Sequence, residues 1–123
     1  MLLQDFYTIL NKQPIDENSI RVVIKLNKLH SIFKGHFPEL PITPGVGMLQ
    51  ILKEISEDHI QTSLHMERLS NVKFLTLVDP NVNATLSFHL NFQKENKHFN
   101  VKNNTTFEDG TTVFKCSAVF IEK

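Results

Sequence analysis

The residues best suited to chemistry fall in one stretch, His30 to Gln50, which reads HSIFKGHFPELPITPGVGMLQ. It is crowded with Gly and Pro, yet it also carries Phe33, Phe37, Ile42 and Val46. A loop of that kind is stiff and partly buried, unlike a solvated connector. It runs into the start of a helix, where Thr43 suits the N-cap and Pro44 the first helical position. The first turn of a helix presents unpaired N–H groups at the positive end of its dipole. Together these suit a carbonyl oxygen that is gaining negative charge. Gly45 lets a ligand come close to that backbone. His36 lies just before, and an imidazole can move a proton near neutral pH. The competing reading of His36 is a loop histidine with a structural role only.

The elements that must position these residues follow from the apolar pattern. Phe6 to about Gln13 reads as a first strand, with a short helix as the alternative. Asp16-Glu17-Asn18-Ser19 is a turn cluster. Ile20, Val22, Ile24 and Leu26 recur with a period of two on the next strand. Val72 to Val78 is apolar and β-branched, which suits a buried strand. Ala84, Leu86, Phe88, Leu90 and Phe92 alternate with polar residues, so one face is buried and one is wet. Phe99, Val101, Thr105 and Phe107 continue the alternation. Glu108-Asp109-Gly110 then makes a hairpin turn. Thr112, Phe114, Cys116, Ala118 and Phe120 form the apolar face of the last strand. Between the second and third strands lies one strongly apolar helix, from about Pro44 to about His59. Val46, Met48, Leu49, Ile51, Leu52 and Ile55 cover much of its circumference, so it must be covered on several sides. A sheet curled around one central helix, the α+β hot-dog architecture, satisfies this order, and so does an ordinary α+β sandwich.

Gly35-His36-Phe37-Pro38, followed by Pro41-Ile42-Thr43-Pro44-Gly45-Val46, resembles the G-H-F-P…P-x-x-P-G-V signature of the β-hydroxyacyl-acyl-carrier-protein dehydratases. The spacing matches without a gap. Weaker similarity runs through Asn71-Val72-Lys73-Phe74 and Val78-Asp79-Pro80. The resemblance implies a single hot-dog domain over residues 1–123 that handles acyl thioesters, with roles in fatty acid biosynthesis and lipid metabolism. It also implies site roles. His36 matches the loop histidine that takes the C2 proton of a 3-hydroxyacyl thioester. Gly45 matches the glycine whose N–H holds the thioester carbonyl. Val46, Phe37 and Phe33 fall where substrate would be lined, and Phe74 is a further candidate for an acyl tunnel. The family's acid, fourteen residues after the histidine, falls on Gln50, which is not an acid. An amide cannot act as a general acid near pH 7, and losing such assistance costs roughly 10²–10⁴-fold in rate. Glu54 lies four residues on, on the same helical face, and is the candidate for a relocated carboxylate acting through a water. The alternative for Glu54 is a solvent-facing carboxylate or one paired with a lysine. The product would be a trans-2-enoyl thioester. No bound cofactor is expected, because the thioester itself makes C2 acidic.

The family also implies a homodimer whose sites join the histidine of one subunit to the helix acid of the other, with a hexamer or a heterodimer with a related dehydratase as alternatives. The expected partner is acyl carrier protein with its phosphopantetheine-linked acyl chain. Two rival functions stand beside the dehydratase: a non-catalytic acyl-thioester-binding or structural subunit of a mixed dehydratase, and a hot-dog acyl thioesterase. Thirteen basic and thirteen acidic residues give a formal net charge of zero, which supports neither a nucleic-acid nor an anionic-membrane partner. Apolar runs are too short for a membrane span, the N-terminus has no basic leader-like region, and Cys116 is a single cysteine; a cytoplasmic location is expected. The pairs His30/His36 and His59/His65 have no cysteine or carboxylate cluster to complete a metal site. Cys116 reads as core packing, and Lys53, Glu54, Glu57 and Asp58 as the end of a helix emerging into solvent.

Overall fold

A computed structural model describes residues 5–33, 43 and 45–123. His36, Phe37 and the rest of the Gly-Pro-rich loop, together with Pro44, lie outside the described residues. Six strands and one helix follow in the order β1 (Tyr7–Asp16), β2 (Ser19–Leu26), α1 (Gly45–Ile60), β3 (Leu64–Phe74), β4 (Thr85–Glu95), β5 (His98–Phe107) and β6 (Thr112–Glu122). The strands form one sheet in the order β1-β2-β4-β5-β6-β3, antiparallel at every pairing. This is the hot-dog arrangement expected from the sequence, with the sheet wrapped around α1.

Alternation explains most of the strands. On β2, β4, β5 and β6 every second residue is buried, so one face of each meets the helix. Phe88, Phe114 and Phe120 are fully buried, as are Ile51 and Leu52 of the helix. Each such side chain contributes roughly 1.5–3 kcal/mol relative to exposure. The expected hairpin at Glu108-Asp109-Gly110 is present. Gly110 has φ of 90° and its N–H donates to the Phe107 carbonyl at 3.0 Å, a backbone state that favours glycine. The segment that could have been strand or helix is β1, an exposed edge strand.

The strand expected at Val72–Val78 needs correction. β3 spans Leu64–Phe74 and lies at the other edge of the sheet, paired with β6. It is mostly exposed, and beyond it Leu75 and Leu77 are exposed while Val78 is buried. The helix end dictates this early start. Gln61 adopts φ of 64° and donates its N–H to the Glu57 carbonyl at 2.8 Å, a left-handed turn that closes α1. The Glu57 carboxylate then accepts the Leu64 N–H at 2.8 Å, so the chain enters β3 four residues after the helix.

Candidate functional site

Both ends of the loop that carries the histidine motif are anchored. At its start, Asn27 accepts the Leu29 N–H at 3.0 Å and donates to the Asp5 carbonyl at 2.9 Å. Phe33 is buried and packs against Phe6 with ring centroids 5.9 Å apart. Phe33 is therefore a core residue. At the far end, the buried Thr43 donates its N–H to the Val78 carbonyl at 2.8 Å. The expectation that Thr43 caps the helix is not met. Its hydroxyl is buried and has no hydrogen-bond partner among the described residues, so the first helical N–H groups are not spent on it.

The helix then presents three features in sequence. Gly45 opens it, and an added Cβ there would sit 2.8 Å from the Cζ of Phe74. Phe74 is itself stacked on Phe114, with centroids 4.7 Å apart and planes 5° from parallel. The glycine is thus required because an aromatic ring from β3 lies directly over it. Val46 faces outward and is 71% exposed, so it lies on the rim of the helix start and is not packed into the core. One turn further, Gln50 and Glu54 meet, the amide Nε2 donating to Glu54 Oε2 at 2.8 Å.

Glu54 has a second partner. The hydroxyl of Tyr7, from β1, donates to Glu54 Oε1 at 2.8 Å. Burial, then the hydrogen bond and the negative charge of Glu54, push the Tyr7 phenol well above its ordinary range. Glu54 is half-buried and accepts a hydrogen bond at each oxygen, so it does not point freely to solvent, and among the described residues it pairs with no lysine. Because a carboxylate only accepts, it fixes which way the Gln50 amide turns: nitrogen toward Glu54, oxygen away. The neighbouring charges are engaged as well. Asp58 pairs with Lys12 of β1, and Glu57 holds the entry to β3. The expectation of a helix end simply emerging into solvent is corrected accordingly. Tyr7 was not legible as a site residue, since it meets Glu54 across 47 positions of sequence and carries no motif. Cys116 is buried in the core as expected, and burial pushes its thiol up to about 11.

Gly45→Ala is expected to destabilise. In an exposed helix the change would gain about 1 kcal/mol, but here the methyl group meets a ring held by stacking. Overpacking of this kind costs about 1–3 kcal/mol, so a net loss is expected in urea unfolding. The loss should shrink in the Gly45→Ala/Phe74→Ala pair relative to Phe74→Ala alone.

A helix start under an aromatic ring, followed one turn on by a carboxylate-held amide, inside a hot-dog sheet, places the chain among the thioester-handling hot-dog proteins. It belongs to the ApeI-like family, described as ApeI dehydratase, whose model matches residues 12–112. No curated protein matches. Among solved structures, the dehydratase heterocomplex ApeI:P from Xenorhabdus doucetiae superposes with a TM-score of 0.80 at 16% identity, covering 94% of this chain and 97% of that one. A hypothetical thioesterase with coenzyme A from Streptococcus pneumoniae TIGR4 gives 0.64 at 13% identity, over 95% and 85% of the two chains. Cj0977, a sigma28-regulated virulence protein from Campylobacter jejuni, gives 0.72 at 10% identity, over 100% and 88%. These likenesses establish the fold. Among the described residues no helix is long and apolar enough to cross a membrane.

Proposed function

We propose that this chain is a dehydratase-type protein acting on 3-hydroxyacyl thioesters of acyl carrier protein. The observation that carries the reading is the family match, which spans the His36 loop, Gly45 and the helix face bearing Gln50 and Glu54 in one continuous block. His36 takes the C2 proton while the Gly45 N–H holds the thioester carbonyl; the C2–C3 double bond forms as the C3–O bond breaks, and the proton on the His36 imidazolium passes to the departing 3-hydroxyl, which leaves as water. Gln50 aligns that hydroxyl by hydrogen bonding, with Glu54 and Tyr7 setting the amide. Val46 and Phe37 flank the acyl chain.

A second reading is favoured by a specific observation. The position of the expected acid holds an amide whose nitrogen is already committed to Glu54. In a mixed dimer, His36 of this chain would face the carboxylate of a related subunit, and the site containing Gln50 would be silent. The structural relative from Xenorhabdus doucetiae is a dehydratase heterocomplex, which supports this arrangement. So does the exposed edge strand β3, with Phe74, Leu75, Leu77 and Val46 exposed beside it.

The test is hydration of a trans-2-enoyl-acyl-carrier-protein by the purified chain, followed by loss of enoyl absorbance. Activity that falls by about 10²-fold or more in His36→Ala supports the enzyme working alone. Glu54→Gln tests the carboxylate's part, and a loss of activity there that Gln50→Ala does not share would make Glu54 the relocated acid acting through a water. An inactive chain that gains activity in Gln50→Glu would replace the lone enzyme with the subunit reading.

A further inference from the structure

We propose that the part of the sheet's solvent face where Lys73 of β3, Lys115 of β6 and Lys102 of β5 meet is the docking surface for an acidic protein, the carrier that presents the acyl thioester. The inference rests on the reading of the site as one for carrier-bound thioesters.

The strand register puts like charges together. Lys73 of β3 lies directly opposite Lys115 of β6, and Lys115 lies opposite Asn104 of β5. Asn104 is opposite His89, and His89 opposite Arg21. This row crosses five strands with three full cations and no carboxylate. Lys102 stands two residue pairs along β5 from Asn104, on the same face, opposite Ser117. Lys73, Lys102 and Lys115 line one shallow groove of about 270 Å³ with Asn71 and Ser117. All three lysines are exposed. The ion pairs among the described residues are Lys12–Asp58 and His98–Glu67, so none of the three has a carboxylate partner there. Like charges directly opposite on a sheet destabilise it. The chain is neutral overall, so this concentration of positive charge is a local arrangement. Burial, and then the charge of Arg21, hold His89 below its ordinary pKa, which keeps a further positive charge off the row.

The chemistry of the face selects among anionic partners. The exposed side chains lining the groove are three lysines and the Asn71 amide, with Ser117 beside them and no aromatic ring on which a base could stack, which disfavours single-stranded nucleic acid. Three lysines in one groove of a neutral chain fall short of the extended basic footprint that a duplex engages. An acidic protein fits three lysines set among short amides and hydroxyls. The position also fits a tethered substrate. Lys73 adjoins Phe74, the ring over Gly45, and Lys115 adjoins Phe114, the ring beneath it. Consecutive residues of a strand point to opposite faces, so the groove and the ring over Gly45 lie on the two sides of the same short stretch of β3.

The experiment compares the full-length chain with Lys73→Glu/Lys102→Glu/Lys115→Glu, and with Lys97→Glu in the β4–β5 turn as a control. Binding of crotonyl-charged acyl carrier protein is followed by surface-immobilised kinetics, and crotonyl-pantetheine hydration is measured alongside. The triple variant should keep its melting curve and its turnover of crotonyl-pantetheine. Its on-rate for the charged carrier should fall by about 10-fold or more, and that fall should narrow at high salt. Lys97→Glu should leave the on-rate unchanged. Carrier binding indifferent to the triple variant would overturn the proposal. So would a variant whose only change is weaker duplex DNA binding, or weaker self-association in sedimentation. If the parent chain binds the carrier but turns over neither thioester, the docking surface stands and the catalytic reading falls.

Discussion

Phe114→Ala should remove about 3–5 kcal/mol of unfolding free energy, a large share of what a domain of this size possesses. Phe114 is fully buried on β6. It stands opposite Phe74 of β3 on one side and Thr105 of β5 on the other. Truncation leaves a cavity on the inner face of the sheet and removes the surface on which Phe74 stacks. The same substitution therefore frees the ring that covers Gly45. Urea unfolding followed by circular dichroism measures the first effect. The second is read from Gly45→Ala, whose cost should be smaller in the Phe114→Ala background than in the parent chain, because the ring can then give way. Phe114→Leu, which keeps most of the volume, should lose less than half as much stability as Phe114→Ala. Equal losses would mean that ring volume at this position is not what holds β6 to β3.

Glu54→Gln should lower the titration point of the Tyr7 phenol substantially, toward its ordinary value of 10.0. The measurement is unusually clean, because Tyr7 is the single tyrosine of the chain and there is no tryptophan. Tyrosinate absorbance thus reports one group. Burial is the largest cause of the elevation and survives the substitution, so the phenol should remain somewhat above 10.0 even in the variant. The sign of the linked stability is fixed by the same shift. The folded state keeps the phenol protonated to higher pH than the unfolded chain does. Its contribution is therefore complete below pH 10.0 and is lost as pH rises from there through the folded value. Glu54→Gln should flatten that alkaline decline. A Tyr7 titration that does not move in Glu54→Gln would mean that the hydrogen bond at 2.8 Å does not persist in solution, and with it would go the orientation assigned to Gln50.

The parts of this fold that were legible in the sequence are those in which one face is buried and the other wet. On β4 the residues Leu86, Phe88, Leu90 and Phe92 declare the strand, its inner face and its length at once. β6 does the same through Phe114, Cys116, Ala118 and Phe120. β3 was misplaced because its pattern is broken twice. Its register slips between Met66 and Arg68, and again between Ser70 and Lys73, where Asn71 adopts φ of 53°. An edge strand with two irregularities has no clean period, while the apolar run beyond it imitates one. At the site, the motif drew attention to His36 and Gly45, and the helical spacing of Gln50 and Glu54 put them on one face. What the carboxylates do was not legible. Glu54 is held by a tyrosine from β1, Asp58 by a lysine of the same strand, and Glu57 by a backbone N–H of β3. Each of these partners is chosen by how the strands close around the helix, which no local pattern records.

The position of β3 has a consequence for the order in which this molecule can assemble. Its one neighbour in the sheet is β6, which ends at Glu122. A growing chain that has already made the helix and β3 must also make β4 and β5 before the strand that pairs with β3 exists. Until then the helix lacks its cover of Phe114 and Phe120, and the ring over Gly45 has nothing to stack on. Contacts that close so late, over so long a separation, fold slowly and leave apolar surface open in the interval. Synthesis of this protein should therefore be most vulnerable to aggregation just before β6 leaves the ribosome, at a stage when most of the sheet and the entire helix already exist as sequence.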